Sequence, residues 1–120
     1  MARKLLIIDD EESLSASLKA FLSLKGYDVR VAHNGEEGLE EAARFLPELL
    51  LLDLHLVGGM TGTDTLKKAK SIIPGLKVVV LTGFGDEEEI ASQCYSLGAS
   101  KFLCKPLTAT EIKNVLDEIK

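Results

Sequence analysis

The sequence has no apolar run approaching the roughly 20 residues that a membrane-spanning helix needs. Its short runs, such as Leu49–Leu52, are the length of a strand. Basic charge is also in short supply: 14 Lys and Arg stand against 19 Asp and Glu, a net charge of −5. That argues against direct contact with nucleic acid, because phosphate binding needs a basic face. Cysteine is scarce, and Cys94 with Cys104 cannot make a zinc site alone. With no charged-then-apolar leader opening the chain, they predict reduced thiols in a cytoplasmic protein with no membrane contact. Repeats, low-complexity tracts and linkers are absent as well. A chain of 120 residues, 46% hydrophobic and 28% charged, fits one domain spanning residues 1–120 around a single core.

Leu49–Leu52 shows no polar alternation, the pattern of a strand buried on both faces in a parallel sheet. It ends in Asp53. Lys4–Ile8 is a second such strand and ends in Asp9-Asp10. Carboxylates at the C-terminal ends of central strands lie where open α/β sheets bind ligands. Between and after these strands the periodicity turns helical. Leu14, Leu18, Phe21 and Leu22 recur at helical spacing until Gly26. Asp28–Ala32 alternates, as an edge strand with one wet face does. Asn34 and Glu37 predict a capping box for a helix with Leu39, Ala42, Ala43 and Leu46 inward, closed by Pro47.

A third helix turns Leu66, Ala69, Ile72 and Ile73 inward and stops at Pro74-Gly75. Lys77–Thr82 is a β-branched strand. Asp86 and Glu89 predict a second capping box, before a helix with Ile90, Cys94 and Leu97 on one face. Ser100–Cys104 is a short last strand, with both cysteines read as small core hydrophobes. Thr108 and Glu111 cap a final helix burying Ile112, Val115, Leu116 and Ile119. The fold class is therefore α/β: a (βα)5 doubly wound, five-stranded parallel sheet with helices on both faces.

Such a sheet gathers Asp9, Asp10, Asp53, Thr82 and Lys105 on one edge. Carboxylates a few ångströms apart repel by several kcal/mol at an effective dielectric of about 20. Lys105 offsets part of this, and the remainder calls for a divalent cation. An all-oxygen donor set suits magnesium with a phosphate co-ligand. Thr82 can hydrogen-bond a phosphoryl oxygen, and Gly83 and Gly85 leave backbone N–H groups open to an anion. Together these make a site for phosphoryl transfer onto Asp53. Crowding of the acids also predicts that Asp53→Asn stabilises the magnesium-free domain.

Asp9-Asp10, Asp53 after its apolar strand, Thr82 and Lys105-Pro106, in this order at these strand ends, resemble a two-component response-regulator receiver domain over the whole chain. The resemblance implies a flavodoxin-like sheet of order 2-1-3-4-5 and a magnesium-dependent aspartyl phosphate on Asp53. Asp10 and Asp53 would ligate the metal directly, Asp9 largely through water, and the His55 backbone carbonyl would complete the protein ligands. Lys105 and Thr82 would bond the phosphoryl group, with Gly83 in its loop. Phe102 fits equally a core position and the family's aromatic switch. Lys105-Pro106 matches a bond usually cis. The segment after the acceptor, residues 55–62, departs from the family pattern. It lacks the usual proline and is one residue longer if Gly62 is the matching glycine. Its extra glycines predict a more mobile loop.

The implied partners are a histidine kinase or histidine phosphotransfer protein. An output partner or second copy would meet the face of the fourth helix, fifth strand and fifth helix, where Tyr95, Phe102 and Lys113 are candidate contacts. The domain would be a monomer or a phosphorylation-dependent dimer, and a signalling switch, not a turnover enzyme. It would stand alone or belong to a longer protein with an effector. A haloacid-dehalogenase-like phosphatase shares Asp, Thr, Lys and magnesium, but needs an acid where His55 stands. A pseudo-receiver that binds partners without phosphorylation would not need the complete acidic site. A flavin binder of the same fold is disfavoured by the acidic run Asp9-Asp10-Glu11-Glu12.

Overall fold

Alternate residues of a strand point to opposite faces, so the unbroken apolar strands ending in Asp9-Asp10 and Asp53 need helices on both sides. The computed structural model, which describes residues 2–83 and 88–119, has that arrangement. Strands β1 (Arg3–Ile8), β2 (Tyr27–Ala32), β3 (Leu49–Asp53), β4 (Lys77–Thr82) and β5 (Lys101–Cys104) form one sheet. Each is followed by a helix: α1 (Glu12–Leu24), α2 (Gly35–Phe45), α3 (Gly62–Ile72), α4 (Glu88–Ser96) and α5 (Ala109–Glu118). All pairings are parallel, in the order β2-β1-β3-β4-β5. This is the flavodoxin-like order, and the alternating strand β2 does lie at an edge.

The strands divide their side chains between two cores. Leu5, Ile7, Leu49, Leu51, Val79 and Leu81 pack against Leu18 and Leu22 of α1 and Ile112 and Leu116 of α5. On the other face, Leu6, Ile8, Leu50, Leu52, Val78 and Val80 meet Ala42 of α2, Leu66 and Ala69 of α3, and Cys94 of α4. Each fully buried leucine contributes about 1.5–3 kcal/mol. The two central strands β1 and β3, sealed on both faces, are therefore the firmest frame available for the acids at their tips.

Helix ends follow local chemistry. Thr108 and Glu111 form the complete reciprocal capping box expected of α5. At α2 the box is shifted. Asn34 Oδ1 accepts the Glu37 N–H at 2.8 Å, but the Glu37 carboxylate reaches the N–H of His33, one residue earlier. The box expected at Asp86 lies outside the described residues.

Three apolar positions assigned inward face solvent instead: Leu14 is 45%, Ile72 45% and Leu46 60% exposed. Ala43 is exposed too, and Phe45 takes the inner position. Its ring lies under the cationic ends of Lys4 and Arg30, at 5.3 and 4.7 Å. Periodicity overran the end of α2. Leu46 is the C-cap, in the left-handed conformation at φ 53°, ψ 61°, and there the backbone turns its side chain away. At the end of α3, of the two isoleucines expected inward only Ile73 packs against the core. Cys104 is exposed while Cys94 is buried, and both are free thiols. Cys104 closes an edge strand, so its outer side has no layer over it.

Left-handed backbone costs a branched L-residue about 1 kcal/mol, a cost that Gly or Asn at a helix C-terminus largely avoids. Leu46→Asn should therefore stabilise the domain by about 0.5–1 kcal/mol in urea unfolding, at unchanged slope; a loss of stability would show that the leucine side chain packs usefully.

Candidate functional site

Register brings the predicted residues together. Ile8, the last residue of β1, pairs with Leu52, so Asp9 and Asp10 leave the sheet beside Asp53. Asp53 pairs with Leu81 and Thr82 with Cys104, which sets Thr82 and Lys105 at the same edge. Asp9, Asp53 and Thr82 are buried, and Asp10 and Lys105 half-buried. One carboxylate oxygen from each of Asp9, Asp10 and Asp53 lies within 4.8 Å of the others. Lys105 Nζ donates to Asp53 Oδ2 at 3.0 Å.

Each acid is also held by backbone. Asp53 Oδ1 accepts the His55 N–H at 2.9 Å, and Asp9 Oδ1 accepts the Glu11 N–H at 2.9 Å. Glu11 is the N-cap of α1 and offers no side-chain cap, so Asp9 shapes that turn. Asp10 Oδ2 accepts the Val57 N–H at 3.1 Å, tying the β1–α1 turn to the β3–α3 loop. The Lys105 N–H bonds the Thr82 carbonyl at 2.7 Å, and Lys105–Pro106 is cis, as the resemblance implied.

The β3–α3 loop, expected to be mobile, is fastened at a second point. Glu36 of α2 accepts the Met60 N–H at 3.1 Å, across Gly58 and Gly59 at φ 73° and 62°. Gly62 is a steric requirement, because a Cβ there would lie 2.3 Å from the Leu54 carbonyl oxygen. Neither tether has a sequence signature, since both join residues far apart in the chain.

Sequence reasoning assigned His55 a role only through its backbone carbonyl. In the structure its Nε2 lies 2.8 Å from the Thr82 hydroxyl. Phe102 is half-buried against the core under α2, α3 and α4, and its N–H donates to the Tyr95 hydroxyl at 3.1 Å. Gly83 is exposed just past β4, with open space about its Cα. Phe84, Gly85 and Glu87 lie outside the described residues.

Three hard carboxylate oxygens gathered on one sheet edge fit a small divalent cation that takes its other ligands from water or phosphate. Neutral nitrogen or sulfur donors, which would favour zinc, do not accompany the three acids in this cluster.

Residues 5–117 match the family model of the response regulator receiver domain. Sporulation initiation phosphotransferase F of Bacillus subtilis (strain 168) is 31% identical over 116 residues, which cover 97% of this chain and 92% of that protein. A CheY-like response regulator receiver domain protein from Methanospirillum hungatei JF-1 has the same fold. Its TM-score is 0.91 at 30% identity, covering 98% of this chain and 93% of that one. A response regulator protein from Burkholderia pseudomallei was solved with a phosphorylated aspartic acid, calcium ion and citrate. It matches with TM-score 0.86 and 31% identity over 98% of this chain and 66% of that one. No helix among the described residues is long and apolar enough to cross a membrane.

The charges do not share the crowding equally. Burial, then the neighbouring Asp53 charge, raises the Asp9 carboxyl above its ordinary 3.8, against the lowering effect of the Glu11 N–H. Burial alone would lower the Lys105 ammonium. The hydrogen bond and charge of Asp53, with Asp9 and Glu11, outweigh it and raise Lys105. The relief expected from removing Asp53 therefore belongs to Asp9, because losing Asp53 strands a part-buried ammonium. A raised carboxyl favours the folded state below pH 3.8 and loses that contribution as pH climbs through its folded value. Asp9→Asn keeps the acceptor for Glu11 and removes the charge. In EDTA at pH 7 it should raise the unfolding free energy by on the order of 1 kcal/mol, a few degrees in Tm. The gain should shrink toward pH 3.8; a lower Tm at pH 7 would show that Asp9 is not strained.

Proposed function

Because the chain belongs to the response regulator receiver domain family of two-component systems, we propose that Asp53 is the phosphoryl acceptor of a signalling switch. The observation that carries this reading is the Lys105 ammonium 3.0 Å from Asp53 Oδ2, beside two further acids within 4.8 Å. The phosphorylated aspartic acid and calcium ion of the Burkholderia pseudomallei response regulator support the same use of such an edge.

A histidine kinase or histidine phosphotransfer protein presents phosphohistidine at the sheet edge. A carboxylate oxygen of Asp53 attacks phosphorus, the P–N bond breaks as the P–O bond forms, and the imidazole leaves with its electron pair. Asp53 is buried and fixed by two hydrogen bonds, so little freedom is lost on reaching the attacking geometry. Lys105 changes partner from carboxylate to phosphoryl oxygen as charge spreads. Mg2+, held by Asp9, Asp10, Asp53 and the His55 backbone carbonyl, would supply the positive charge that one lysine cannot.

The new phosphoryl oxygens draw the Thr82 hydroxyl and the Gly83 N–H toward them. Phe102 then turns into the space that Thr82 leaves, reshaping the face of α4, β5 and α5. Tyr95, Phe102 and Lys113 on that face would meet an output partner or a second copy, the domain being a monomer or a phosphorylation-dependent dimer accordingly. We place this switch in the cytoplasm, with residues 1–120 as one receiver domain.

Incubation with acetyl phosphate and Mg2+ should add one base-labile phosphoryl group by intact mass, and Asp53→Asn should take up none. No gain in the parent protein, or a gain that persists in Asp53→Asn, removes the acceptor assignment. Turnover of external phosphomonoesters would point to a phosphatase instead.

A further inference from the structure

Thr82 is fully buried, and its hydroxyl has one proton to give. That hydroxyl bonds Nε2 of His55 at 2.8 Å. His55 stands two residues past Asp53 and its own N–H is fixed on Asp53 Oδ1 at 2.9 Å, so its ring bridges the end of β3 to the end of β4. His55 is thus anchored through its backbone on the proposed acceptor, and its ring reaches the residue proposed to sense it.

We propose that His55 is a positioning residue that holds Thr82 in its unphosphorylated orientation, its imidazole and the phosphoryl group competing for the same hydroxyl proton. This rests on phosphorylation of Asp53 and adds to it a built-in restraint. While the Thr82 O–H donates to Nε2 it cannot donate to a phosphoryl oxygen. The phosphoryl group must therefore outbid an existing hydrogen bond.

Removing the imidazole leaves a buried hydroxyl seeking a partner, which costs the resting state. The phosphorylated state, in which the hydroxyl has a phosphoryl oxygen, loses nothing. Only such a difference between states shifts their balance, and the worth of one net hydrogen bond is about fivefold. His55 is exposed and its backbone is untouched by side-chain replacement, so the fold tolerates the change.

The test is methyl NMR of threonine-labelled protein, with Thr82 assigned through Thr82→Ser. Wild type, His55→Ala and His55→Gln are compared free of metal and phosphodonor, and again with acetyl phosphate and Mg2+. In unphosphorylated His55→Ala the Thr82 methyl should move toward its position in the phosphorylated wild type. His55→Gln, which keeps a hydrogen-bonding group on the same stem, should stay near wild type. The acetyl phosphate concentration for half-maximal phosphorylation should fall about fivefold in His55→Ala, in line with one net hydrogen bond. An unmoved Thr82 methyl, or a rise in that concentration, overturns the restraint; a rise would mean that Nε2–H donates and supports the phosphorylated state. A wild type that takes up no phosphoryl group overturns the acceptor assignment itself. An unresponsive methyl in a protein that is phosphorylated overturns the restraint alone.

Discussion

The structure turns on one ion pair, Lys105 with Asp53, 3.0 Å apart with side chains 22% and 6% exposed. Burying such a pair is a poor way to gain stability, because desolvation cancels much of the attraction. Two more acids beside it make the arrangement worse: at 4.8 Å two carboxylates repel by ~3 kcal/mol at an effective dielectric near 20. A fold selected only to persist would replace them with leucine. On the proposed function, the pair is one half of a charge balance whose other half arrives with a cation and a phosphoryl group.

Rigidity and freedom are divided accordingly. The acids stand at the ends of β1 and β3, which are buried on both faces over Leu5–Ile8 and Leu49–Asp53. The groups we propose to change partner, Thr82 and Lys105, stand at the ends of β4 and β5, nearer the sheet edge. At the opposite end of the sheet, the Tyr27 hydroxyl donates to Asp117 at 2.6 Å, and Lys113 pairs with the same carboxylate. Burial and Asp117 push the Tyr27 phenol up to about 12. The C-terminal end of α5 is thus pinned, which would confine the proposed rearrangement of the α4, β5 and α5 face to the end near the site.

Much of this was legible in the sequence because its signals are local. Four leucines running into Asp53, and Leu5–Ile8 running into Asp9, announce buried strands with charged tips whatever else the chain does. Thr108 with Glu111 announces a helix start in the same way. Leu46 misled because periodicity continues past the residue at which backbone geometry ends α2, and Ile72 because, at the last residue of α3, only its neighbour Ile73 turns inward. Leu14 and Cys104 misled because an apolar side chain at a helix start or on an edge strand need not have a layer above it. Three contacts left no trace at all: His55 with Thr82, Val57 with Asp10 and Met60 with Glu36. They join loops through space, two of them through a backbone N–H that every residue but proline owns.

Beneath all of this is the proposal that the three acids beside Lys105 form one cation site. Calorimetric titration of the unphosphorylated protein with Mg2+ tests it most directly. One saturable site, lost or weakened at least tenfold in Asp10→Asn, is the predicted result. Absence of saturable binding, or equal affinity in Asp10→Asn, would contradict it.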